Sequence, residues 1–163
     1  LASFSEAINQ YPAPLFYISR SNVLIRLNRP DEALRDLSNA EVSGQRMDDL
    51  QYLRGLAYAK KGEFETAIDC LTNAITTDSH RIEALCERSR CYMKLGASEK
   101  NLTIALAGLD RAIDLEPDCE RAFFLRADCY SAMNNPQRAS RDRFTAEQIE
   151  ARKKVEKEAR GEK

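Results

Sequence analysis

The chain has 163 residues and a formal net charge of −1 at pH 7, with 43% hydrophobic and 31% charged residues. This near-neutral balance gives no electrostatic case for binding nucleic acid or an anionic membrane, and no apolar run approaches the roughly 18 residues of a membrane span. The composition, with only 6 Gly and 5 Pro, favours α-helix.

Helical patterns follow one another from the first residue. Residues 1–12 place Leu1, Phe4 and Ile8 on one helical face. Residues 14–47 predict two helices with a turn at Asn28-Arg29-Pro30, since Pro suits the first position of a helix. Residues 48–81 predict two more helices, which meet at a turn containing Gly62.

The second half of the chain continues the pattern with two departures. Residues 82–119 contain four additional residues, which are predicted to lengthen the turn at Gly96–Asn101. Residues 120–147 hold Arg143 in a slot that is apolar elsewhere, and residues 148–163 extend the last helix with mostly charged residues. A polar terminal helix of this kind is predicted to cap the exposed end of a helical array.

Five columns of similar residues recur in one register, with spacings of about 34 residues. Alanine forms two columns, small residues a third, large residues a fourth and arginine a fifth. Their members are Ala33, Ala67, Ala105 and Ala139; Ala40, Ala74, Ala112 and Ala146; Ser21, Gly55, Ser89 and Ala127; Leu24, Tyr58, Tyr92 and Tyr130; and Arg20, Arg54, Arg88 and Arg126. One helix pair cannot bury its apolar face alone, so the pairs are expected to stack.

Residues 48–81 hold Gly55 and Tyr58 on the first helix, Gly62 at the turn, and Ala67, Leu71 and Ala74 on the second. This pattern resembles the tetratricopeptide repeat (TPR) family, and the resemblance covers nearly the whole chain. It implies an all-α fold, a right-handed α–α superhelix (solenoid) of helix-turn-helix repeats. Residues 14–47, 48–81, 82–119 and 120–147 would then be repeats 1 to 4. Residues 1–12 would be the second helix of a truncated preceding repeat, and the chain a fragment of a longer TPR protein.

Nothing in the sequence favours catalysis. Its one histidine, His80, lies in a predicted turn without a neighbouring nucleophile or a second histidine for a metal, and no phosphate-binding glycine motif occurs. We therefore predict no enzyme activity and no cofactor or metal. The five cysteines are odd in number and lack CxxC spacing, which predicts small buried or half-buried thiols in a reducing, cytoplasmic compartment.

The arginine column has two interpretations. Asp36 and Asp142 occupy matching places on the second helices of repeats 1 and 4, which predicts Arg–Asp contacts with Arg20 and Arg126. Partly exposed pairs of this type add only about 0.2–1 kcal/mol. The alternative is an arginine ladder that binds an acidic ligand.

The TPR resemblance implies a concave groove lined by the first helices. The groove candidates are Asn22, Tyr52, Leu56, Lys60, Arg90, Lys94, Arg121 and Phe124, with Ile18, Arg26, Cys86 and Asp128 completing the register. An apolar stripe with basic flanks suits an extended or helical peptide with a hydrophobic anchor and an acidic neighbour. Alternatively, Tyr52 and Phe124 are half-buried packing residues.

These patterns favour a non-catalytic scaffold or adaptor module that binds a protein or peptide. A structural component of a larger cytoskeletal or ciliary assembly, using its convex face and ends, is the alternative. A Hsp70/Hsp90 cochaperone module is weaker: Asn22 fits the family's carboxylate clamp, but the other slots hold Ile18, Leu53, Glu83 and Glu87 where cations and Asn are needed. Acidic side chains there would repel a carboxylate.

Overall fold

The computed structural model describes residues 1–42, 49–76 and 81–161. In that part of the chain nine α-helices occur and no β-strand, so the predicted all-α fold is confirmed. The helices are α1 (Ala2–Gln10), α2 (Pro14–Arg26), α3 (Pro30–Val42), α4 (Asp49–Lys61), α5 (Phe64–Thr76), α6 (Arg81–Leu95), α7 (Glu99–Leu115), α8 (Glu120–Ala132) and α9 (Pro136–Ala159). His80 and the predicted exit turn at Gly44 lie outside the described residues.

The chain forms two compact units, which we call the N-terminal half (Leu1–Ala84) and the C-terminal half (Leu85–Lys163). In the N-terminal half, α2 packs on α3 and α4 packs on α5, while α4 also contacts α2 and α3. In the C-terminal half, α8 packs on both α7 and α9. Across the described residues we find no helix with both the length and the hydrophobicity needed to cross a bilayer.

Small residues allow the paired helices of the N-terminal half to approach closely. Ala33, Leu37 and Ala40 of α3 are fully buried and pack against Leu53 and Ala57 of α4 in one core cluster. On α4, a Cβ atom added at Gly55 would lie 2.6 Å from Cγ of Leu71, a buried residue of α5. That separation is shorter than a normal van der Waals contact, so a side chain at this position would force Leu71 to shift.

The turns inside repeats 1, 2 and 4 share a backbone conformation. Asn28, Gly62 and Asn134 each follow a first helix and have φ values of 58°, 83° and 55°. This left-handed region favours Gly and, among other residues, Asn. The sequence therefore specifies these turns through residue type as well as through the prolines that begin α3 and α9.

The prediction that repeat 3 has a longer turn is wrong. Only Gly96, Ala97 and Ser98 separate α6 from α7, whereas α7 has 17 residues and α5 has 13. Oγ of Ser98 accepts a hydrogen bond of 3.2 Å from the backbone N–H of Asn101, and Nδ2 of Asn101 donates to the Gly96 carbonyl at 3.0 Å. Because Ser98 is an N-cap, the additional residues mainly extend α7 by almost one turn.

The last helix, α9, has 24 residues, and its outer part is polar. Arg143 is exposed where Leu37, Leu71 and Leu109 are buried, and the neighbouring Phe144 is also exposed. Beyond Ile149, Arg152 pairs with Asp118 and Lys153 pairs with Glu120, each at 2.5 Å. These contacts attach the far part of α9 to the start of α8.

Candidate protein-interaction surface

The predicted Arg–Asp contacts in repeats 1 and 4 are confirmed. Nε and Nη2 of Arg20 donate to the two carboxylate oxygens of Asp36 at 2.7 and 2.6 Å. Nε and Nη2 of Arg126 donate to those of Asp142 at 2.7 and 2.9 Å. Both are bidentate pairs, the geometry in which a guanidinium and a carboxylate bind most strongly.

Each of these arginines also contacts the helix that precedes it in the chain. Nη1 of Arg20 donates to Oγ of Ser5 on α1 at 2.9 Å, and Nη1 of Arg126 donates to Asp110 on α7 at 2.7 Å. The hydrogen bonds with Asp36 and Asp142 raise the pKa of both guanidinium groups. Because Nε, Nη1 and Nη2 of each guanidinium already donate to protein groups, neither arginine belongs to an arginine ladder that binds an acidic ligand.

The arginines of repeats 2 and 3 behave differently. Arg54 forms an ion pair with Glu41 of α3, and this hydrogen bond raises the pKa of its guanidinium. The pairing is therefore with the preceding helix α3, not with the second helix of the same repeat. Arg88 is half-buried, and burial lowers the pKa of its guanidinium.

The expected strength of the pairs in repeats 1 and 4 needs revision. Asp36 and Asp142 are only 3% and 5% exposed. A carboxylate so far from water depends on its cation much more than a surface carboxylate does. The range given above for partly exposed pairs therefore understates the free energy of unfolding that would be lost if the arginine were removed.

In the N-terminal half, the groove candidates divide into packed and exposed residues. Tyr52 and Leu56 of α4 are half-buried and pack against the core cluster. Asn22 of α2 and Lys60 of α4 are exposed. Because α2 and α4 are in contact, this half presents a surface on which apolar edges and polar side chains occur together.

In the C-terminal half, Glu87 binds two of the basic groove candidates. Its carboxylate accepts hydrogen bonds from Nη2 of Arg90 on α6 and Nη2 of Arg121 on α8. Glu87 is 5% exposed, whereas the two arginine side chains remain 41% and 44% exposed. The expectation that Glu87 would repel a carboxylate is therefore wrong, since its charge is buried between two cations.

Phe124 and Lys94 complete the candidates in this half. Phe124 is half-buried against Phe123 of α8 and against Ala146 and Ile149 of α9. Lys94 is exposed near the end of α6. Phe124, like Tyr52 and Leu56 of α4, thus has a packing role, and only part of each of these side chains is open to a partner.

The carboxylate-clamp positions hold no suitable donors in the structure apart from the exposed amide of Asn22. Ile18 and Leu53 are buried apolar residues, and Glu83 is exposed. Among the described residues there is also no cluster of potential metal ligands. The five cysteines are free thiols, four of them buried and Cys70 half-buried, as predicted.

One pair of thiols was not predicted. Cys119, at the N-cap of α8, is hydrogen-bonded to Cys86 of α6, and this bond lowers the pKa of Cys119. A backbone hydrogen bond from Ala122 acts in the same direction, as expected at a helix N-terminus. The sequence offered no signal for the pair, because its members are 33 residues apart on different helices.

Comparison with known proteins identifies the family. A family model described as "Tetratricopeptide repeat" matches residues 18–81. The solved structure of YrrB, described as "a TPR protein with an unusual peptide-binding site", has a TM-score of 0.68 at 23% identity and covers 91% of this chain and 75% of YrrB. The chain belongs to the tetratricopeptide repeat family. Its TPR fold is that of a protein–protein interaction module.

Two curated relatives match a large part of this TPR chain. The "DnaJ homolog subfamily C member 7 homolog" of Schizosaccharomyces pombe is 30% identical over 124 residues, which is 69% of this chain and 25% of the relative. The "Hsp70-Hsp90 organizing protein" of Triticum aestivum is 24% identical over 123 residues, which is 76% of this chain and 19% of the relative. This TPR chain therefore spans a quarter or less of either relative.

Proposed function

We propose that this TPR chain is a non-catalytic scaffold or adaptor module that binds a peptide or helix of a partner protein on its first helices. One binding patch lies on α2 and α4 and holds Asn22, Tyr52, Leu56 and Lys60. The other lies on α6 and α8 and holds Arg90, Lys94, Arg121 and Phe124. We also retain repeats 1 to 4 with their sequence-based boundaries, and a cytoplasmic location, for which the free thiols are the support.

The observation that carries the proposal is the arrangement of Arg90 and Arg121 around Glu87. One buried carboxylate balances two guanidinium groups, so this group of three side chains keeps one uncompensated positive charge. Each arginine donates one nitrogen to Glu87, and a guanidinium has five N–H donors in a fixed fork. The remaining donors suit the acidic neighbour of a hydrophobic anchor, and Phe124 supplies an aromatic edge for the anchor itself.

A peptide selection tests this function and requires no identified partner. A phage-displayed library of random peptides would be selected on the full chain, and the affinity of the best peptide measured by calorimetry. We expect Arg121→Gln to weaken binding at least tenfold, because a hydrogen bond to a charged group contributes about 1.5–3 kcal/mol. We also expect Phe124→Ala to weaken it.

The control is Phe144→Ala, which removes an exposed aromatic ring from α9 outside either patch. Circular dichroism would verify that each variant folds. If the selected peptides bind all three variants as well as the wild type, the patch on α6 and α8 is not the binding surface, and if Tyr52→Ala also binds them equally, the first helices are not. Binding through the convex face and ends, in a larger cytoskeletal or ciliary assembly, would then be favoured.

The curated relatives favour a second candidate, a cochaperone-type module. Their names are the support for it, while the residues at the clamp positions oppose it. Titration with a short acidic peptide that has a free C-terminal carboxylate tests it. Micromolar binding that disappears when the carboxylate is amidated would support the cochaperone function, and equal binding of the two forms would exclude a carboxylate clamp.

A further inference from the structure

A cavity of about 360 Å³ lies between α8 and α9. It is lined by Phe123, Arg126, Tyr130, Arg138, Arg141 and Asp142. On α8, successive side chains are rotated by about 100°, so Arg126 and Tyr130 point away from the side that carries Arg121 and Phe124. The cavity is therefore separate from the proposed binding patch of the C-terminal half.

Part of the charge around this cavity is already balanced. Arg126 pairs with Asp142 and Asp110, and its guanidinium lies 5.3 Å from the centroid of the Phe123 ring. Asp142 balances the charge of this cation, and the half-exposed Asp110, which does not line the cavity, helps to hold it in place. Arg126 thus forms a rigid wall of the cavity and contributes no uncompensated charge.

The uncompensated charge belongs to Arg138 and Arg141, which lie one turn apart on α9. The guanidinium of Arg138 lies 5.5 Å from the centroid of the Tyr130 ring, which limits its orientation. Both arginines are exposed, and within the described part of the chain neither forms an ion pair with a carboxylate. The cavity therefore has two cationic donors directed to solvent beside an aromatic ring.

The equivalent cavity of repeat 1 shows that the fold does not require this charge. That cavity has about 320 Å³ and is lined by Arg20, Arg35 and Asp36, which are the counterparts of Arg126, Arg141 and Asp142. The counterpart of Arg138 there is Glu32, which accepts two hydrogen bonds from Arg29 at 2.6 and 2.7 Å. Repeat 4 thus has the cation Arg138 at the position where repeat 1 has Glu32, a carboxylate that is already paired with Arg29.

We propose that the cavity between α8 and α9 is a second binding site, which takes an acidic segment of a partner protein. Two neighbouring Asp or Glu side chains would each pair with one arginine, Arg138 and Arg141. The apolar part of the segment would lie against Tyr130. Charge complementarity selects this partner, since two uncompensated guanidinium groups and an aromatic ring leave no match for a basic or purely apolar segment.

Fluorescence anisotropy with the full chain tests the site. The probe is a short labelled peptide of glutamate and glycine, and the reference peptides replace each glutamate with glutamine or with phosphoserine. We expect the glutamate peptide to bind, the glutamine peptide not to bind, and Arg138→Glu to weaken binding at least tenfold. Arg141→Gln provides a second test that leaves the Arg138–Tyr130 contact intact.

The matched control is Arg143→Ala. It removes an exposed charge from α9 two residues after Arg141, on another face of the helix. We expect it to change the dissociation constant less than twofold. Equal losses for Arg138→Glu and Arg143→Ala would overturn the proposal, because they would indicate attraction to the overall charge of α9. Binding of the glutamine peptide, or of the phosphoserine peptide alone, would overturn it as well.

Discussion

The Arg126–Asp142 pair provides the most direct test of how helices are joined within a repeat. We consider Arg126→Met, which keeps much of the side-chain volume and removes the charge. The substitution deletes two hydrogen bonds to Asp142 and one to Asp110. Asp110 remains about half exposed and can be hydrated, but Asp142 is 5% exposed and would be left as a buried carboxylate without a cation.

Removal of one partner from a buried ion pair costs about 3–5 kcal/mol. Arg126 keeps 19% of its side-chain surface exposed, so water can enter the vacated space and the cost lies near the lower limit, at about 3 kcal/mol. For a urea m-value of about 2 kcal/mol per M, the unfolding midpoint would fall by about 1.5 M. The double variant Arg126→Met/Asp142→Leu removes the unpaired charge and should recover most of this loss.

The assay is urea unfolding of the full chain followed by far-ultraviolet circular dichroism. Arg29→Met is the matched control, because Arg29 forms a bidentate pair with Glu32 that is exposed on both sides, and it should leave the midpoint nearly unchanged. The reasoning would be refuted by equal shifts for Arg126→Met and Arg29→Met. A double variant as unstable as Arg126→Met would refute the assigned role of the buried carboxylate.

Three further predictions follow from contacts elsewhere. Gly55→Ala should lower the free energy of unfolding by about 1–3 kcal/mol, because its Cβ would overlap Leu71; an unchanged thermal midpoint would contradict this. Ser98→Ala should cost about 1 kcal/mol by removing the N-cap of α7, and faster amide hydrogen exchange confined to the first turn of α7 would verify it. Alkylation of Cys119 should begin at a lower pH in the wild type than in Cys86→Ala, because the thiol–thiol hydrogen bond lowers the pKa of Cys119 and keeps its thiolate present to lower pH. Mass spectrometry of the alkylated protein at several pH values measures this, and identical pH profiles for the two proteins would count against the bond.

The repeat architecture could be predicted because close packing restricts residue type strongly. Where two helices approach as Gly55 and Leu71 do, only a small residue fits on one side, and the restriction returns in every repeat. The contact between Arg126 and Asp142 could be predicted for the same reason, since both residues keep their register in repeats 1 and 4. Periodic constraints of this kind are visible in a single sequence.

Features that depend on one repeat alone could not be predicted. Glu87 was expected to repel a carboxylate, because its hydrogen bond with Arg121 of the following repeat has no signal in the sequence. The additional residues of repeat 3 were assigned to a turn, because the sequence around Ser98 contains both loop-forming and helix-capping signals and only the formed hydrogen bonds decide between them. The cavity beside Arg138 depends on the relative placement of two helices and has no sequence motif.

The length of α9 should depend on the salt concentration of the solution. Residues 150–161 are exposed, so no buried apolar face stabilises this segment, and short helical segments in water are marginal without one. The bonds of Arg152 to Asp118 and of Lys153 to Glu120 join solvent-accessible side chains. Dissolved salt screens such pairs more strongly as the Debye length falls from about 8 Å at physiological ionic strength to about 3 Å at 1 M. The last helix of this chain should therefore lengthen in dilute buffer and fray from its C-terminal end in concentrated salt, while the helices packed around the core keep their length.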